Sequence, residues 1–235
     1  MKKEKKKILI ATGGTGGHIF PSLSLADFLK RKHQVEIVTD KRGLKYLVND
    51  EKINIRTINS DTVFGKNIFK ACLGIIKIIL SFIFSIFSMI GSRPKLIIGM
   101  GGYSSFPVCA AGYCLRIPVI IYENNLIIGR ANKFILPIAR KILVSTKDIQ
   151  GIKSKHSTKI FFSGYLIRSH ILNLKKENTQ NLEKKSLSIL IMGGSQSAKI
   201  FGEILPNIMV RCFQNGIRLK IYQQCLDQQV LKFKK

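Results

Sequence analysis

The chain has 235 residues, a hydrophobic fraction of 46% and a formal net charge of +26. This hydrophobic fraction is ample for a buried core and excludes a chain that is disordered throughout. The basic excess is mostly lysine spread along the whole chain, without the aromatic signature or recognition-helix pattern of nucleic-acid-binding proteins. We therefore expect no nucleic acid partner, and a negatively charged membrane surface is the better candidate.

Cysteine usage and the N-terminus both point to the inside of a cell. The five cysteines are an odd number without C-x-x-C spacing, so they form neither a disulfide framework nor paired metal ligands. The basic start MKKEKKK is followed by only four apolar residues, Ile8 to Ala11, which is too few for a secretory signal peptide. We expect a protein of the reducing cytosol.

Short apolar runs alternate with stretches of helical pattern along most of the chain. This alternation predicts a doubly wound α/β unit, in which a parallel sheet is covered on both faces. The predicted strands are 7–11, 34–39, 53–58, 95–100, 118–122, 141–145 and 159–163, and the predicted helices are 22–32, 44–49, 106–115 and 130–139.

A long apolar helix is predicted over residues 66–91. Small or polar residues recur along it at steps of three and four, which places them in one narrow stripe. Three interpretations stay open: a core helix with the stripe outward, a helix in a membrane interface with its lysines toward lipid headgroups, or a membrane crossing. Interfacial insertion fits the lysines best, and a crossing would separate strands of one sheet. The stripe consists of Lys70, Gly74, Lys77, Ser81, Ser85 and Ser88.

A polar, charged stretch near residues 173–186 interrupts the alternation and predicts an inter-domain linker. One strand (188–192), one helix (197–214) and one more strand (219–223) are predicted beyond it. Two strands and a helix cannot bury both faces of a sheet, so a second domain that is cut short is expected. The predicted division is a first domain at 1–172, a linker at 173–186 and the start of a second domain at 187–235.

Three glycine pairs each follow a predicted strand and precede a segment that can be helical. They occur in ILIATGGTGGH (8–18), KLIIGMGGYSS (95–105) and LSILIMGGSQSA (187–198). A strand, a glycine loop and a helix N-terminus present backbone N–H groups to a phosphate, although this spacing matches neither the dinucleotide fingerprint nor the Walker loop. Either the loops bind a phosphate-bearing ligand at the carboxyl ends of the strands, or they are tight turns that need glycine.

Four motifs in this order resemble the MurG family: ATGGTGGHIFP (11–21), GMGGYSSFP (99–107), YENNLIIGRANK (122–133) and GGSQSA (193–198). The resemblance implies a GT-B fold, in which two Rossmann-like domains face each other. It also implies an inverting hexosyltransferase of peptidoglycan synthesis. Such an enzyme moves N-acetylglucosamine from UDP-N-acetylglucosamine to the undecaprenyl-diphosphate-linked muramyl-pentapeptide. A transferase of another sugar-nucleotide specificity is the closest rival.

By the same resemblance, the first domain binds the acceptor. The family pattern places the acceptor diphosphate on the two N-terminal glycine loops and implies His18 as the base for the acceptor hydroxyl, since its ordinary pKa lies near neutrality. Alternatively, His18 only orders the start of a helix, and Tyr103 only packs at the rim. The implied acceptor-binding residues are Gly13, Gly14, Gly101, Gly102, Tyr103 and Glu123.

The resemblance also implies residues for the donor. Arg168 stands where the family carries an arginine that meets the donor diphosphate, but the turn reads GYLIR here instead of GNPVR. No D-x-D motif is present, so we expect no metal and no cofactor, with arginine and helix dipoles stabilising the leaving group. The implied donor-binding residues are Thr15, Gly16, Gly17, Asn125, Arg168 and Ser195.

The chain is shorter than the family pattern, which continues well beyond residue 235. It is expected to be C-terminally truncated relative to the family and to lack most of the donor-binding domain. The alternative function is therefore a membrane-bound module for the lipid precursor, or a half-enzyme that needs a complementary donor-domain chain. The expected location is the cytoplasmic face of the plasma membrane, as a peripheral protein.

Overall fold

The computed structural model describes residues 5–47, 53–59, 68–174, 187–193, 197–224 and 229. The chain divides into two compact units, Met1–Lys176 and Glu177–Lys235. Residues 175–186 of the predicted linker (173–186) lie outside the described residues, as do Lys66, Ser195 and Cys225.

The first unit is built on a seven-stranded parallel sheet with the strand order β3-β2-β1-β4-β5-β6-β7. Its strands are rich in isoleucine and valine because a parallel sheet is buried on both faces. The chain runs from β1 outward to β3 and then returns to β4 beside β1, so the strand order reverses between β1 and β4. The strands are β1 (Lys7–Ala11), β2 (Gln34–Thr39), β3 (Asn54–Thr57), β4 (Leu96–Gly99), β5 (Val119–Glu123), β6 (Lys141–Val144) and β7 (Ile160–Phe162).

Helices cover both faces of this sheet, and each face has its own core. Ile10 and Ile37 point to a cluster with Ile19 of α1, whereas Leu9 and Val38 point to a second cluster with residues of α3, α4 and α5. The helices are α1 (Gly16–Leu29), α2 (Lys41–Leu44), α3 (Ile68–Ser92), α4 (Ser105–Cys114), α5 (Arg130–Ile135) and α6 (Ser169–Leu174), and a 3-10 helix covers Ser154–Lys159.

The predicted strands agree with the structure to within two residues, but two helix starts were wrong. Helix α1 begins at Gly16 rather than at 22, with Pro21 inside it. Helix α2 occupies Lys41–Leu44 rather than 44–49, because the Asp40 side chain accepts hydrogen bonds from the backbone N–H groups of Arg42 and Gly43 and caps the helix early.

The second unit contains a separate two-stranded parallel sheet. Strands β8 (Leu187–Ile191) and β9 (Leu219–Gln223) pair with each other, and α7 (Ser197–Gln214) connects them. Within the described residues, β8 does not join the seven-stranded sheet. Helix α6 (Ser169–Leu174) includes residue 172, where the first domain was predicted to end. The division into a first domain, a linker and a second domain at 172 and 186 stays a prediction.

Helix α3 contradicts the expected direction of its small-residue stripe. Gly74, Ser81 and Ser85 are buried toward the domain. The hydroxyl of Ser81 donates to the carbonyl oxygen of Asn59 at 2.9 Å, and that of Ser85 donates to the carbonyl oxygen of Ser81 at 2.6 Å. The outward stripe is therefore wrong: small residues face inward because they allow close packing, and satisfied hydroxyls can be buried.

The opposite side of α3 presents large apolar side chains to the outside. We call this surface the apolar face of α3. By length and composition Cys72–Ser92 could span a membrane, but β3 and β4, which flank α3, belong to one sheet, so a single crossing is ruled out. The exposed residues of this face are Leu73, Ile75, Ile76, Ile79, Leu80, Ile83, Phe84, Phe87 and Ile90.

A buried charge cluster ties the first three strands together, and it gives a stability prediction. Glu36 of β2 is 3% exposed and pairs with Lys7 of β1 (2.7 Å) and Arg56 of β3. The variant Glu36→Ala leaves two half-buried cations unpaired, so we expect it to lower the free energy of unfolding by about 2 kcal/mol in urea denaturation. The matched control is Asp27→Ala, which removes the exposed pair with Lys30 and should cost about 0–1 kcal/mol. If both variants lose the same free energy of unfolding, Glu36 does not hold the first three strands together more strongly than an exposed ion pair would.

Candidate functional site

The candidate site lies at the carboxyl ends of β1, β4 and β5, next to the point where the strand order reverses. Ligands of open α/β sheets bind in this crevice. Two glycine loops line it: glycine loop 1 (residues 12–17) after β1, and glycine loop 2 (residues 100–104) after β4. A third loop, residues 124–129, follows β5.

The two glycine loops pack directly against each other. The hydroxyl of Ser104 donates to the carbonyl oxygen of Thr12 at 3.0 Å. A side chain at Gly102 would collide with the backbone of Gly13, and one at Gly13 would collide with Ser104. Gly14, Gly101 and Gly102 also have φ values of 89°, 92° and 81°, which disfavour other residues. Glycine is thus required here for backbone geometry, whether or not a phosphate binds.

His18 lies between the two glycine loops. It belongs to the first turn of α1, and a Cβ atom on Gly101 would lie 2.8 Å from its Nε2. Burial lowers the pKa of His18, while the nearby Glu123 carboxylate and a hydrogen bond to the Gly13 backbone act in the opposite direction. Its Nδ1 is buried and has no hydrogen-bond partner among the described residues. The lowered pKa favours the neutral imidazole, which is the form that can accept a proton.

Glu123 is hydrogen-bonded to its own loop and to α5, and its expected contact with the acceptor stays a prediction. Only 2% of Glu123 is exposed. One carboxylate oxygen accepts from the backbone N–H of Asn125 (3.0 Å) and its side-chain amide (2.8 Å). The other accepts from the N–H of Gly129 (2.8 Å) and the amide of Asn132 (2.9 Å). Glu123 thus holds the loop 124–129 in place and orients the exposed Asn125.

Arg168 reaches the start of α1 in spite of the altered GYLIR turn. Its guanidinium carbon lies 4.5 Å from the ring centroid of Phe20. The phenol of Tyr122 holds the turn, because its oxygen accepts from the backbone N–H of Leu166 at 3.3 Å and lies 3.3 Å from the carbonyl oxygen of Gly164. Arg168 therefore contacts Phe20, the residue whose ring also lies against Gly16 of glycine loop 1.

Two residues that the sequence did not single out support this arrangement. Phe20 packs under glycine loop 1, since a Cβ atom on Gly16 would lie 2.9 Å from its ring, and it stacks edge-on with Tyr46 at 5.8 Å. Asn132 donates to the carbonyl oxygen of Tyr122 at 2.8 Å as well as to Glu123. Asn132 could have been singled out from the sequence, because it is a polar amide on the inward side of the predicted helix 130–139.

The remaining predicted residues divide into those the structure brings to the site and those it leaves undescribed. Thr15 and Gly17 are exposed in glycine loop 1, and Tyr103 is half-buried in glycine loop 2. Ser195 lies outside the described residues. Within the described part of the chain, no group of three or more His, Cys, Asp or Glu residues could hold a metal ion.

Comparison with known families identifies the first unit. Residues 8–144 match the glycosyltransferase family 28 N-terminal domain. The chain belongs to glycosyltransferase family 28. The matched segment contains both glycine loops, His18, Glu123 and Asn125, so most of the candidate site lies within the family 28 domain, and Arg168 lies beyond the matched residues.

Individual relatives extend the similarity to nearly the whole chain. The UDP-N-acetylglucosamine–N-acetylmuramyl-(pentapeptide) pyrophosphoryl-undecaprenol N-acetylglucosamine transferase of Pelagibacter ubique (strain HTCC1062) is 34% identical over 230 residues, which are 98% of this chain and 63% of that protein. The enzyme of the same name from Rhodospirillum centenum (strain ATCC 51521 / SW) is 37% identical over 224 residues, 92% and 58% of the two chains.

A solved structure shows the same fold. The crystal structure of Acinetobacter baumannii MurG matches with a TM-score of 0.71 and 26% identity, over 97% of this chain and 61% of that one. These matches confirm the resemblance to the MurG family and the GT-B fold class, with one whole family 28 domain and part of a second Rossmann-like domain. The chain spans less than two thirds of the length of these relatives.

The contact between the glycine loops gives a testable prediction. In the family 28 domain, Gly102→Ala must push glycine loop 1 away, whereas Gly14→Ala has the same backbone strain but meets no atom within 4 Å. We expect Gly14→Ala to cost about 1 kcal/mol of the free energy of unfolding and Gly102→Ala about 1–3 kcal/mol more, measured by urea denaturation. If the two variants are equally stable, the loops do not need this close contact.

Proposed function

We propose that the chain is the acceptor-binding part of an inverting glycosyltransferase. This enzyme moves N-acetylglucosamine from UDP-N-acetylglucosamine to the lipid-linked muramyl-pentapeptide diphosphate of peptidoglycan synthesis. The observation that carries the proposal is the position of His18 between two glycine loops of a family 28 domain. The relatives that match nearly the whole chain carry the name of this transferase.

The acceptor diphosphate would lie on the two glycine loops. A side chain at Gly13, Gly101 or Gly102 would collide with the facing loop or with His18, and the positive φ of Gly14 disfavours one there, so backbone forms this part of the crevice. Glycine loop 1 leads directly into the N-terminus of α1, where backbone N–H groups and the helix dipole favour an anion. Tyr103 follows the second pair and would contact the same ligand.

His18 would remove the proton from the acceptor hydroxyl as that oxygen attacks the donor sugar. A base must be unprotonated at working pH, and burial favours the neutral imidazole. The negative charge of Glu123 then favours the imidazolium that forms when the proton is transferred. Glu123 acts as a positioning residue, because its oxygens are held by Asn125, Gly129 and Asn132.

Donor contacts are proposed for a group of residues around glycine loop 1 and for Ser195. Arg168 carries a planar guanidinium suited to the oxygens of a diphosphate, and Phe20 holds it near α1. Asn125 is exposed and oriented by Glu123. Thr15, Gly16 and Gly17 complete the set in the first unit.

The second unit exposes apolar surface that further polypeptide would cover. Its described strands and helix expose apolar side chains that a folded sheet domain buries: Leu187, Leu190, Met192, Ile204, Ile208, Phe213 and Tyr222. We propose that polypeptide outside the described residues, from this chain or from a complementary donor-domain chain, covers them. Without such a partner the first unit would act as a binding module for the lipid precursor.

We also propose peripheral attachment to the cytoplasmic face of the plasma membrane through the apolar face of α3. Nine large apolar side chains are exposed there on one helix, which is far more than single scattered residues. An amphipathic helix of this kind lies in the membrane interface with its apolar side buried. A lipid-linked acceptor requires the site to be near the bilayer surface.

The catalytic proposal predicts the behaviour of His18→Ala in a radiolabelled sugar-transfer assay. Loss of the base should lower kcat by about 10²–10⁴-fold with little change in the KM for the acceptor, because a base acts mainly in the transition state. The matched control is His33→Ala, which should leave kcat unchanged. His33 directly precedes β2 and therefore lies at the amino ends of the strands, opposite the candidate site. Each variant is assayed with and without a candidate donor-domain chain.

These measurements separate the alternatives. Transfer by the chain alone would refute the binding-module function, and transfer only with the partner would establish a half-enzyme. If kcat is unchanged in His18→Ala, the residue only orders the start of α1, and the proposed base is wrong.

The membrane proposal predicts release of an α3 variant from vesicles. The triple variant Ile79→Ser, Phe84→Ser and Phe87→Ser changes side chains that are 51%, 51% and 70% exposed, so it should fold normally but sediment poorly with anionic vesicles. Phe28→Ser, 66% exposed on α1, is the matched control and should bind fully. Phe82 is avoided because it packs against the core. Unchanged sedimentation of the folded triple variant would contradict insertion of this face.

A further inference from the structure

A basic cleft lies on the same side of the sheet as α3, along helix α5. Its volume is about 400 Å³. Phe134, Leu136 and Pro137 form an apolar wall, and four cationic side chains surround it: Arg130, Lys133, Lys153 and Lys155. None of these residues has a role in the proposed transfer reaction.

The cleft is held open by fixed contacts. The ammonium group of Lys159 donates to the carbonyl oxygens of Leu136, Pro137 and Ala139 at 3.1, 2.9 and 2.7 Å. These three hydrogen bonds fasten the end of the 3-10 helix to the end of α5 and satisfy carbonyl groups at the helix C-terminus. Lys153 and Lys155 therefore stay opposite α5.

Three of the lysines in the cleft lack an acidic partner in the described part of the chain, where Lys133, Lys153 and Lys155 form no ion pair. His156 also lines the cleft, and burial together with the charges of Lys159, Lys155 and Lys153 lowers its pKa. Cations held this close repel one another, so a bound anion would relieve the repulsion.

Packing connects the cleft to the apolar face of α3. The ring of Phe134 packs edge-on against Phe106 of α4, with centroids 6.2 Å apart, and α4 packs against α3. Helices α3, α4 and α5 thus form one layer over the sheet. The cleft and the apolar face of α3 therefore belong to the same helix layer, with α4 between them.

We propose that the cleft binds the phosphate group of an anionic lipid, with Lys133, Lys153 and Lys155 contacting the phosphate and Phe134 contacting the glycerol region. A lipid fits better than a free phosphate because the cleft combines cations with an apolar wall on the layer that carries α3. The proposal rests on the proposed membrane attachment and adds a specific headgroup site to it.

The test compares two triple variants of the full chain in vesicle sedimentation. Lys133→Gln, Lys153→Gln and Lys155→Gln remove the charges of the cleft. Lys32→Gln, Lys41→Gln and Lys45→Gln remove the same charge from exposed positions at α1 and α2, which cover the other face of the sheet. Vesicles of phosphatidylcholine alone and of phosphatidylcholine with phosphatidylglycerol are used for both.

We expect the cleft variant to lose about tenfold or more in partitioning to phosphatidylglycerol vesicles, since each lysine near an anionic surface contributes appreciably. Its weaker binding to phosphatidylcholine should be unchanged, and the α1–α2 variant should lose clearly less. Equal losses in both variants would overturn the proposal, because the attraction would then be general. Loss of phosphatidylcholine binding in the cleft variant would overturn it as well.

Soluble glycerol phosphate separates the two sources of phosphate. If it binds the full chain as tightly as the lipid does and displaces it from vesicles, the cleft is a site for free phosphate esters and the lipid assignment is wrong. Weak binding without displacement supports the lipid. Failure of the α3 variant to leave vesicles would count against the membrane proposal itself, whatever the cleft variant does.

Discussion

The close approach of glycine loop 1 to glycine loop 2 is the constraint on which the candidate site depends. Strands β1 and β4 are neighbours where the strand order reverses, so the loops that follow them share one crevice. Glycine is required where the loops meet: Gly102 lies against the backbone of Gly13, and the Ser104 hydroxyl bonds to Thr12. His18 enters the remaining space from α1. The same glycines therefore allow the close contact of the loops and leave room for the His18 ring beside Gly101.

The strands could be predicted from the sequence because strands that are buried on both faces are short, nearly continuous apolar runs rich in isoleucine and valine. The start of α1 could not, since Gly16, Gly17 and Pro21 are poor helix formers, and Pro21 lies inside the helix, where it removes a backbone hydrogen bond. The glycine loops and His18 were found from local spacing. The partners of Glu123 were not, because they are set by how the loop 124–129 folds back onto α5.

Helix α3 shows why periodicity alone does not give direction. The step of three and four residues identified the stripe, but serine was interpreted as a solvent-facing residue. In the structure its small size matters more than its polarity, because Ser81 and Ser85 satisfy their hydroxyls with backbone carbonyls and allow close packing. The large apolar residues are then left outside, which no isolated soluble domain favours.

The two faces of the first unit consequently differ in what they can contact. The layer of α3, α4 and α5 exposes the apolar face of α3 and the lysines beside Phe134. On the other side α1 carries an ion pair, Asp27 with Lys30, and one large exposed apolar residue, Phe28. The proposed membrane contact would involve the helix layer on one face of the sheet, whereas the crevice lies at the carboxyl ends of β1, β4 and β5. Under the proposed function, the crevice would then stay open to a lipid-linked diphosphate that arrives along the membrane surface.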